Sequence, residues 1–193
     1  MRLPVIATFV ERATQRKIRG QIRRTTLFDV QLQSQWPYAA NALDRNWNWL
    51  EVWLLCRANP QRFECYSAFA SDELHGLMAL DLRGRKTGTE RGLVVDYLAT
   101  SPEDRIEGAG LKYIGVNFMA VAVARSIEAG MQGRIWLESL ADPKTLQFYQ
   151  NIGMTRSPRK SSDGYDVFVF EIDCAMEFLV RAQTEKWIAI NPE

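Results

Sequence analysis

One segment, residues 93–100, constrains the fold of this chain more than any other. It reads Leu-Val-Val-Asp-Tyr-Leu-Ala-Thr, a nearly continuous apolar run that is typical of a central strand covered on both faces. The strand ends at Ser101 and Pro102, and a helical repeat of apolar residues follows over residues 110–128. A chain with this strand needs layers on both sides of a sheet, which indicates an α/β protein.

The remaining segments supply the other strands and helices of such a fold. A hairpin is predicted over residues 62–82 with a turn at 71–73, and the polar residues 83–92 are predicted to form a loop. Further predicted elements are strands at 134–139 and 165–172, a short helix at 143–151 and a C-terminal helix at 175–190. This order indicates a mixed α/β (α+β) fold around one sheet, and 193 residues suffice for a single domain.

The tryptophan-rich residues 34–58 carry a helical pattern of their own. The residues at helical spacing are Leu43, Trp47, Leu50 and Leu54. Such a stripe is usually packed into the core. Two alternatives are that the segment is an interface in a homo-oligomer or that some of its residues line a cleft for an acceptor molecule. The candidates for that lining are Trp36, Pro37, Tyr38 and Trp49.

Composition excludes several classes of function. The single histidine, His75, provides no set of imidazoles for zinc, so no metal is expected. Three cysteines without metal-ligand spacing fit a reducing cytoplasm. Lysines and arginines number 24 against 23 acidic residues, so any nucleic-acid site must be local. No apolar run reaches the roughly 20 residues of a membrane span, so no membrane partner is expected.

The one local block of positive charge lies in residues 11–24. Its cations are Arg12, Arg16, Lys17, Arg19, Arg23 and Arg24. We expect a solvated amphipathic helix here, with Ala13, Ile18 and Ile22 turned inward. The alternative is an N-terminal arm that docks a nucleic acid through these cations.

The junction after the central strand contains two closely spaced glycines, Gly108 and Gly110. Glycines let a ligand approach the backbone, and the free N–H groups and dipole at a helix start favour a phosphate. The residues therefore suggest a pyrophosphate site at the start of the helix predicted over 110–128. A plain tight turn explains the same two glycines.

A second motif follows in residues 142–154. Its defining residues are Asp142, Pro143, Phe148, Tyr149 and Gly153. Together with Arg105, Gly108 and Gly110, this motif resembles the GNAT-type N-acetyltransferase superfamily. The earlier residues are similar to that superfamily's acyl-CoA pattern Arg/Gln-x-x-Gly-x-Gly/Ala, and the later ones to its short helix ending in aromatic-Tyr-x-x-x-Gly-Phe. The resemblance spans about residues 32–172.

The resemblance implies a GNAT-like fold, with a mixed, mostly antiparallel central sheet flanked by helices. It implies one acyltransferase domain over residues 1–193, with a core at about 32–172, a basic N-terminal arm at 11–24 and a C-terminal helix at 175–190. It also implies an N-acetyltransferase that uses acetyl-CoA as acyl donor and transfers the acetyl group directly to an amine in a ternary complex.

The superfamily pattern further implies where acetyl-CoA binds. Backbone amides of residues 106–111 would hold the pyrophosphate, and residues 98–100 would pair with the pantetheine arm where the sheet splays. The cofactor-binding residues implied in this way are Leu98, Ala99, Thr100, Arg105, Ile106, Glu107, Gly108, Ala109, Gly110, Leu111, Asp142 and Phe148.

The resemblance places Tyr149 beside the thioester sulfur, and acid–base chemistry fits that role. A phenol with a pKa near 10 can donate a proton to the departing thiolate. Asp96 lies two residues before Leu98, on the same face of the strand, and burial would raise its pKa toward that of a general base. A salt-bridged structural aspartate is the alternative for Asp96. Glu138, His75 and water are weaker candidates for the base.

Two features depart from the superfamily pattern. Glu103, Asp104 and Glu107 place acid beside a polyanion, and Asp142 replaces the usual asparagine. One alternative function is therefore a degenerate GNAT module that binds CoA or another protein. A second is an acetyltransferase acting on an aminoacyl-tRNA or another nucleic-acid-linked amine. The acceptor otherwise expected is a small-molecule or protein amine, and a homodimer is the assembly that the sequence leaves open.

Overall fold

The strands of the chain form one sheet, and its helices flank that sheet. The computed structural model describes residues 1, 3–38, 42, 44–87 and 90–190. The strands are β1 (Val5–Glu11), β2 (Lys17–Arg24), β3 (Phe63–Ala70), β4 (Glu73–Thr87), β5 (Glu90–Thr100), β6 (Leu111–Lys112), β7 (Ile135–Ser139), β8 (Thr155–Arg156), β9 (Asp166–Phe170) and β10 (Ile188–Ala189). The helices are α1 (Leu27–Gln33), α2 (Trp49–Ala58), α3 (Ile114–Glu128), α4 (Pro143–Asn151) and α5 (Ile172–Thr184).

One mixed sheet organises these elements. Its strand order is β10-β1-β2-β3-β4-β5-β7-β9-β8, and β6 pairs with β1. Every pairing is antiparallel except the parallel pairing of β5 with β7. The expected mixed, mostly antiparallel central sheet flanked by helices is therefore confirmed.

Both faces of β5 are covered, as its apolar sequence predicts. On one face, Leu93 and Val95 belong to a core that includes the buried α3 residue Phe118. On the other face, Tyr97 and Ala99 pack in a second core with side chains of α1 and α2. β5 consequently runs through the centre of the molecule.

Residues 11–24 do not form a helix, and that prediction is wrong. They complete the β1–β2 hairpin, in which residues 5–10 pair with residues 17–22. The apolar residues of β2 recur with period two, so Ile18 and Ile22 face the core while Lys17 and Arg19 face the opposite side. The basic segment is thus part of the sheet, and the sheet extends well before residue 32.

The C-terminal helix also ends earlier than its sequence predicts. α5 stops at Thr184, and Ile188 and Ala189 then pair with β1 as the short strand β10. Between them, the Trp187 ring stacks on the Tyr113 ring, with centroids 5.3 Å apart. Among the described residues, no helix combines the length and the apolar content that a membrane span requires.

The prediction of a buried helical stripe that includes Leu50 and Leu54 is also wrong. α2 begins at Trp49, and its Leu50 and Leu54 side chains are 45% and 51% exposed. Leu43 lies outside the described residues. The face of α2 that packs inward uses a second, equally regular spacing. It comprises Trp49, Val52, Trp53 and Cys56.

Candidate functional site

β5 and β7 are neighbours over a short stretch only and then separate. Residues 93–95 pair with residues 135–137, and no later pair joins the two strands. A cavity of about 720 Å³ lies beyond the last pair, between the C-terminal half of β5 and residues 137–140. The sheet therefore splays beside residues 96–100, and the cavity reaches from this opening to the start of α3.

Most of the predicted site residues line this cavity. Those that do are Asp96, Leu98, Thr100, Arg105, Leu111, Asp142, Phe148 and Tyr149. Those that do not are Ala99, Ile106, Glu107, Gly108, Ala109 and Gly110. Ala99 faces the opposite core beneath α1 and α2, because successive strand residues point to opposite faces.

Asp96 occupies a β-bulge in β5. Tyr97 pairs with Ala79 and Val95 pairs with Leu80, so Asp96 is the extra residue between them. The side chain lines the cavity and is exposed to solvent there. The surrounding protein atoms still partly desolvate the carboxyl group, which raises the pKa of Asp96 to about 6, and the nearby negative charge of Asp81 adds to the effect. A carboxyl group with this pKa is deprotonated at neutral pH and basic enough to accept a proton.

Tyr149 lies on α4 with its ring packed in the core. The ring centroid is 5.1 Å from that of Phe148 and 5.3 Å from that of Phe168. Its hydroxyl makes no hydrogen bond to any described residue, and the residue borders the cavity. Burial raises the pKa of Tyr149, so the phenol stays protonated and can serve as a proton donor.

α3 begins at Ile114 rather than at Gly110, so the predicted helix start is wrong. Residues 111–112 are extended and pair with β1, and Tyr113 adopts a left-handed conformation with φ of 71°. No side chain caps the helix, and the amides of residues 114–116 donate no hydrogen bond within the described part of the chain. All three residues border the cavity, which therefore contains an uncapped helix start suited to an anion.

Gly115 lies in this helix start, where its backbone packs closely against the ring of Phe148. A Cβ atom there would lie 3.0 Å from Cζ of Phe148, which is tighter than most real contacts. The absent side chain leaves the amide of Gly115 open to the cavity.

Three of the six amides predicted to hold the pyrophosphate, those of Ile106, Ala109 and Leu111, already donate hydrogen bonds within the loop. The N–H of Ile106 donates to the carbonyl of Glu103 at 3.1 Å, and the N–H of Ala109 donates to the carbonyl of Ile106 at 3.2 Å. The N–H of Leu111 donates to Oδ1 of Asp104 at 2.6 Å. Residues 106–108 are exposed, so this loop faces away from the cavity.

Arg105 joins two walls of the cavity instead of facing a free space. Its guanidinium donates to the Asp44 carboxylate at 2.7 Å and to the Thr100 carbonyl at 3.0 Å. Asp44 is only 5% exposed, whereas Arg105 is exposed, so the carboxylate is shielded from solvent while the arginine still reaches it. The structure therefore gives Arg105 a bridging role between β5 and the segment that precedes α2.

Asp142 is the N-cap of α4. Its Oδ2 accepts hydrogen bonds from the Thr145 N–H at 2.8 Å and from the Thr145 hydroxyl at 2.7 Å. The Thr145 hydroxyl and N–H hold the pKa of this carboxyl below its ordinary value. Asp142 therefore borders the cavity, but its carboxylate is already hydrogen-bonded to Thr145.

The splayed edge of β5 presents free backbone groups to the cavity. The N–H of Ser101 donates to the carbonyl of His75 on β4, at 2.9 Å. Because hydrogen bonds alternate along an antiparallel strand, the N–H groups of Leu98 and Thr100 point to the other side, toward the opening. An extended ligand can pair with that edge.

Several cavity residues were not predicted from the sequence. Among them are Arg12, Lys112, Tyr113, Gly115 and Lys144. The pattern Lys112-x-x-Gly115 repeats the basic-x-x-Gly spacing of Arg105-x-x-Gly108, and it could have indicated the true helix start.

Comparison with solved structures identifies the fold. A PaiA N-acetyltransferase from Thermoplasma acidophilum in complex with coenzyme A superposes with a TM-score of 0.57 at 14% identity, over 79% of this chain and 98% of that one. AtaTR bound with acetyl-CoA gives a TM-score of 0.55 at 18% identity, over 81% and 95%. A spermidine N-acetyltransferase SpeG chimera from Vibrio cholerae gives 0.54 at 13% identity, over 77% and 91%.

The chain therefore has the GNAT acetyltransferase fold, and the resemblance seen in its sequence is confirmed at the level of fold. No model of a known protein family matches the sequence. No curated protein matches it either.

Proposed function

We propose that this protein is an acyl-CoA-dependent N-acyltransferase that moves an acetyl group from acetyl-CoA directly to an amine in a ternary complex. One observation carries the proposal: a single cavity contains an uncapped helix start, a splayed strand edge, a protonated tyrosine and an aspartate with a pKa of about 6. These are the groups that binding a phosphorylated thioester and transferring its acyl group require.

The donor would bind along the splay. The amides of residues 114–116 would hold the pyrophosphate, in place of those of residues 106–110, because residues 114–116 border the cavity with amides that donate no hydrogen bond among the described residues, whereas residues 106–110 do not border it. The edge of β5 at Leu98 and Thr100 would pair with the pantetheine amides. The Leu98 N–H is also placed to polarise the thioester carbonyl as the tetrahedral oxyanion forms.

Asp96 and Tyr149 would handle the two protons. The amine nitrogen attacks the thioester carbonyl, and Asp96 takes the proton that this nitrogen must lose, directly or through water. The carbon–sulfur bond then breaks, and the Tyr149 hydroxyl gives its proton to the thiolate of CoA. The products are an amide and free CoA, with both residues ready to return to their starting protonation states.

The whole chain would act as one domain of this kind. Its three cysteines are free thiols, which suits a reducing cytoplasm.

The main alternative function is a module that binds CoA without catalysis. Such a module would bind acetyl-CoA but would not turn it over. An acetyltransferase for nucleic-acid-linked amines differs only in the acceptor.

Turnover with a panel of amines tests the proposal. The full chain is incubated with acetyl-CoA and, separately, a polyamine such as spermidine, a lysine peptide and an aminoacyl-tRNA, and free CoA and acetylated product are measured by mass spectrometry. Stoichiometric CoA and acetylated amine are expected in at least one case. Binding of acetyl-CoA with no product from a broad amine pool would favour the binding module, and no binding at all would refute the proposal.

A further inference from the structure

Two cations lie together at the end of the cavity next to the start of α3. Arg12 directly follows β1, and Lys112 is the last residue of β6. The pairing of β1 with β6 joins them, since Val10 pairs with Lys112 and the Arg12 N–H donates to the Gly110 carbonyl at 3.0 Å. Both side chains line the cavity.

Neither cation is neutralised by a carboxylate of the described residues. Arg12 donates from one terminal nitrogen to the Asp104 backbone carbonyl at 3.1 Å, while its buried Nε has no partner. Lys112 Nζ contacts only the neutral Gln15 amide, at 3.2 Å. An unpartnered guanidinium N–H in a buried position is costly unless a ligand supplies the acceptor.

Two neighbouring carboxylates, those of Asp104 and Glu11, make their hydrogen bonds to other groups. Asp104 accepts hydrogen bonds from the Leu111 N–H at 2.6 Å and the Ser101 hydroxyl at 2.7 Å, and it contacts His75 Nδ1 at 2.9 Å. The Glu11 carboxylate accepts a hydrogen bond from the Thr14 hydroxyl within the hairpin turn. Neither carboxylate forms an ion pair with Arg12 or Lys112, so the N–H donors of both cations remain available to a ligand at the helix start.

We propose that Arg12 and Lys112 bind phosphate groups in the nucleotide half of the donor and make the protein selective for acyl-CoA over acyl-pantetheine. The proposal rests on the proposed function and deepens it. Three amides at the helix start can satisfy one phosphate, whereas CoA carries a diphosphate and a 3′-phosphate. A guanidinium fork and an ammonium group beside that helix start supply the charge-assisted hydrogen bonds that the additional phosphate oxygens need.

Calorimetric titration with three donors tests this assignment. The full chain and the variants Arg12→Gln and Lys112→Gln are titrated with acetyl-CoA, acetyl-dephospho-CoA and acetyl-pantetheine. Each variant is expected to weaken acetyl-CoA binding by about ten- to a hundredfold and to leave acetyl-pantetheine binding unchanged. Arg19→Gln is the matched control, since Arg19 lies on the same hairpin, is exposed and has no side-chain partner among the described residues.

The three donors separate the outcomes. A loss confined to acetyl-CoA assigns the 3′-phosphate to the cations, and a loss shared with acetyl-dephospho-CoA assigns the diphosphate. An equal loss for all three donors, or no loss in either variant, overturns the proposal while leaving the proposed function intact. Lys112→Gln tests it alone if Arg12→Gln fails to fold. A wild-type chain that binds none of the three donors overturns both proposals.

Discussion

At the scale of single residues, the Tyr149 hydroxyl is the simplest group to test, because its ring and its hydroxyl have separate roles. Tyr149→Phe keeps the ring against Phe148 and Phe168 and removes only the proton donor. With general acid catalysis lost, kcat should fall by about 10²- to 10⁴-fold while the KM for acetyl-CoA changes little. Steady-state kinetics with an accepted amine measure both. A variant with near wild-type kcat would return Tyr149 to a purely structural role.

Asp96 makes a prediction about the pH dependence of the rate. Its pKa of about 6 means that the base form becomes populated as pH rises through that value. The profile of kcat/KM should therefore climb with an apparent pKa of about 6 and level off above it. Asp96→Asn should lower the rate and remove this rise of kcat/KM with pH. If the Asp96→Asn variant kept the same rise, a group other than Asp96 would be responsible for it.

The same raised pKa makes a separate prediction about stability. A carboxyl group whose pKa is higher in the folded state than its usual 3.8 favours folding at pH values below 3.8, and that contribution is lost as pH rises through about 6. Asp96→Asn removes the cost of a partly desolvated charge beside Asp81, so it should raise the melting temperature at pH 8 and have less effect at pH 4. Thermal melts of both proteins at the two pH values measure the difference. A variant that melts lower at pH 8 would mean that Asp96 is held by a stabilising partner.

At the scale of elements, the start of α3 decides where the donor phosphate binds. Gly115→Val should place a branched side chain against Phe148 and over the free amides, and should abolish acetyl-CoA binding. Gly108→Asn is the matched control. Gly108 has a left-handed φ of 83° that asparagine tolerates, and a Cβ atom at this position would meet no other atom within 4 Å.

Calorimetry and circular dichroism of the two glycine variants check this expectation. Both should fold, and only Gly115→Val should lose the donor. The reverse result, with binding lost in Gly108→Asn and kept in Gly115→Val, would move the phosphate site to the loop at 106–110.

Elements with local determinants were predictable from the sequence, and those with distant ones were not. α4 spans the predicted residues because Asp142 caps it and Pro143 opens it. The start of α3 was missed because residues 111–112 are made extended by β1, a strand far away in sequence. The hairpin at 11–24 was missed because a few isoleucines among cations fit a helix and a strand alike.

The residues of the candidate site also divide into those that local sequence predicts and those that depend on distant segments of the chain. Asp96 and Tyr149 were found because a strand and a short helix of recognisable pattern carry them. The sequence predicts Arg12 in a solvated helix, with a docking arm as the alternative, since nothing local indicates that the sheet carries it to the cavity. Arg105 was assigned to the phosphate, and only the folded chain reveals its pairing with Asp44.

At the scale of the whole molecule, donor binding should stabilise the fold against unfolding. A ligand that binds only the folded chain adds about 2.7 kcal/mol at a hundred times its dissociation constant, which is visible as a rise in melting temperature. Thermal melts with acetyl-CoA should show this rise, and melts with an equal concentration of acetate should not. An unchanged melt at millimolar acetyl-CoA would contradict the proposed function.

The distribution of charge over the whole molecule predicts weak affinity for nucleic acid. Arg23 is paired with Asp29 at 2.7 Å, and Arg24 is paired with Glu64, so neither has its charge free for a phosphate backbone. The cations of residues 11–24 that form no ion pair in the described structure are Arg12, Arg16, Lys17 and Arg19, and Arg12 lines the cavity. Because few cations are free to neutralise phosphates, few counterions would be released when nucleic acid binds, and this release would add little to the affinity.

Filter binding of the full chain to bulk tRNA at about 50 and 200 mM salt tests this charge argument. We expect little retention at the higher salt, and any retention at the lower salt should be reduced by Arg19→Gln, because non-specific binding depends on the number of phosphates neutralised. Firm retention at both salts would require cations beyond this hairpin. It would favour a nucleic-acid-linked amine as the acceptor, since a tRNA held at physiological salt could present its aminoacyl end to the cavity.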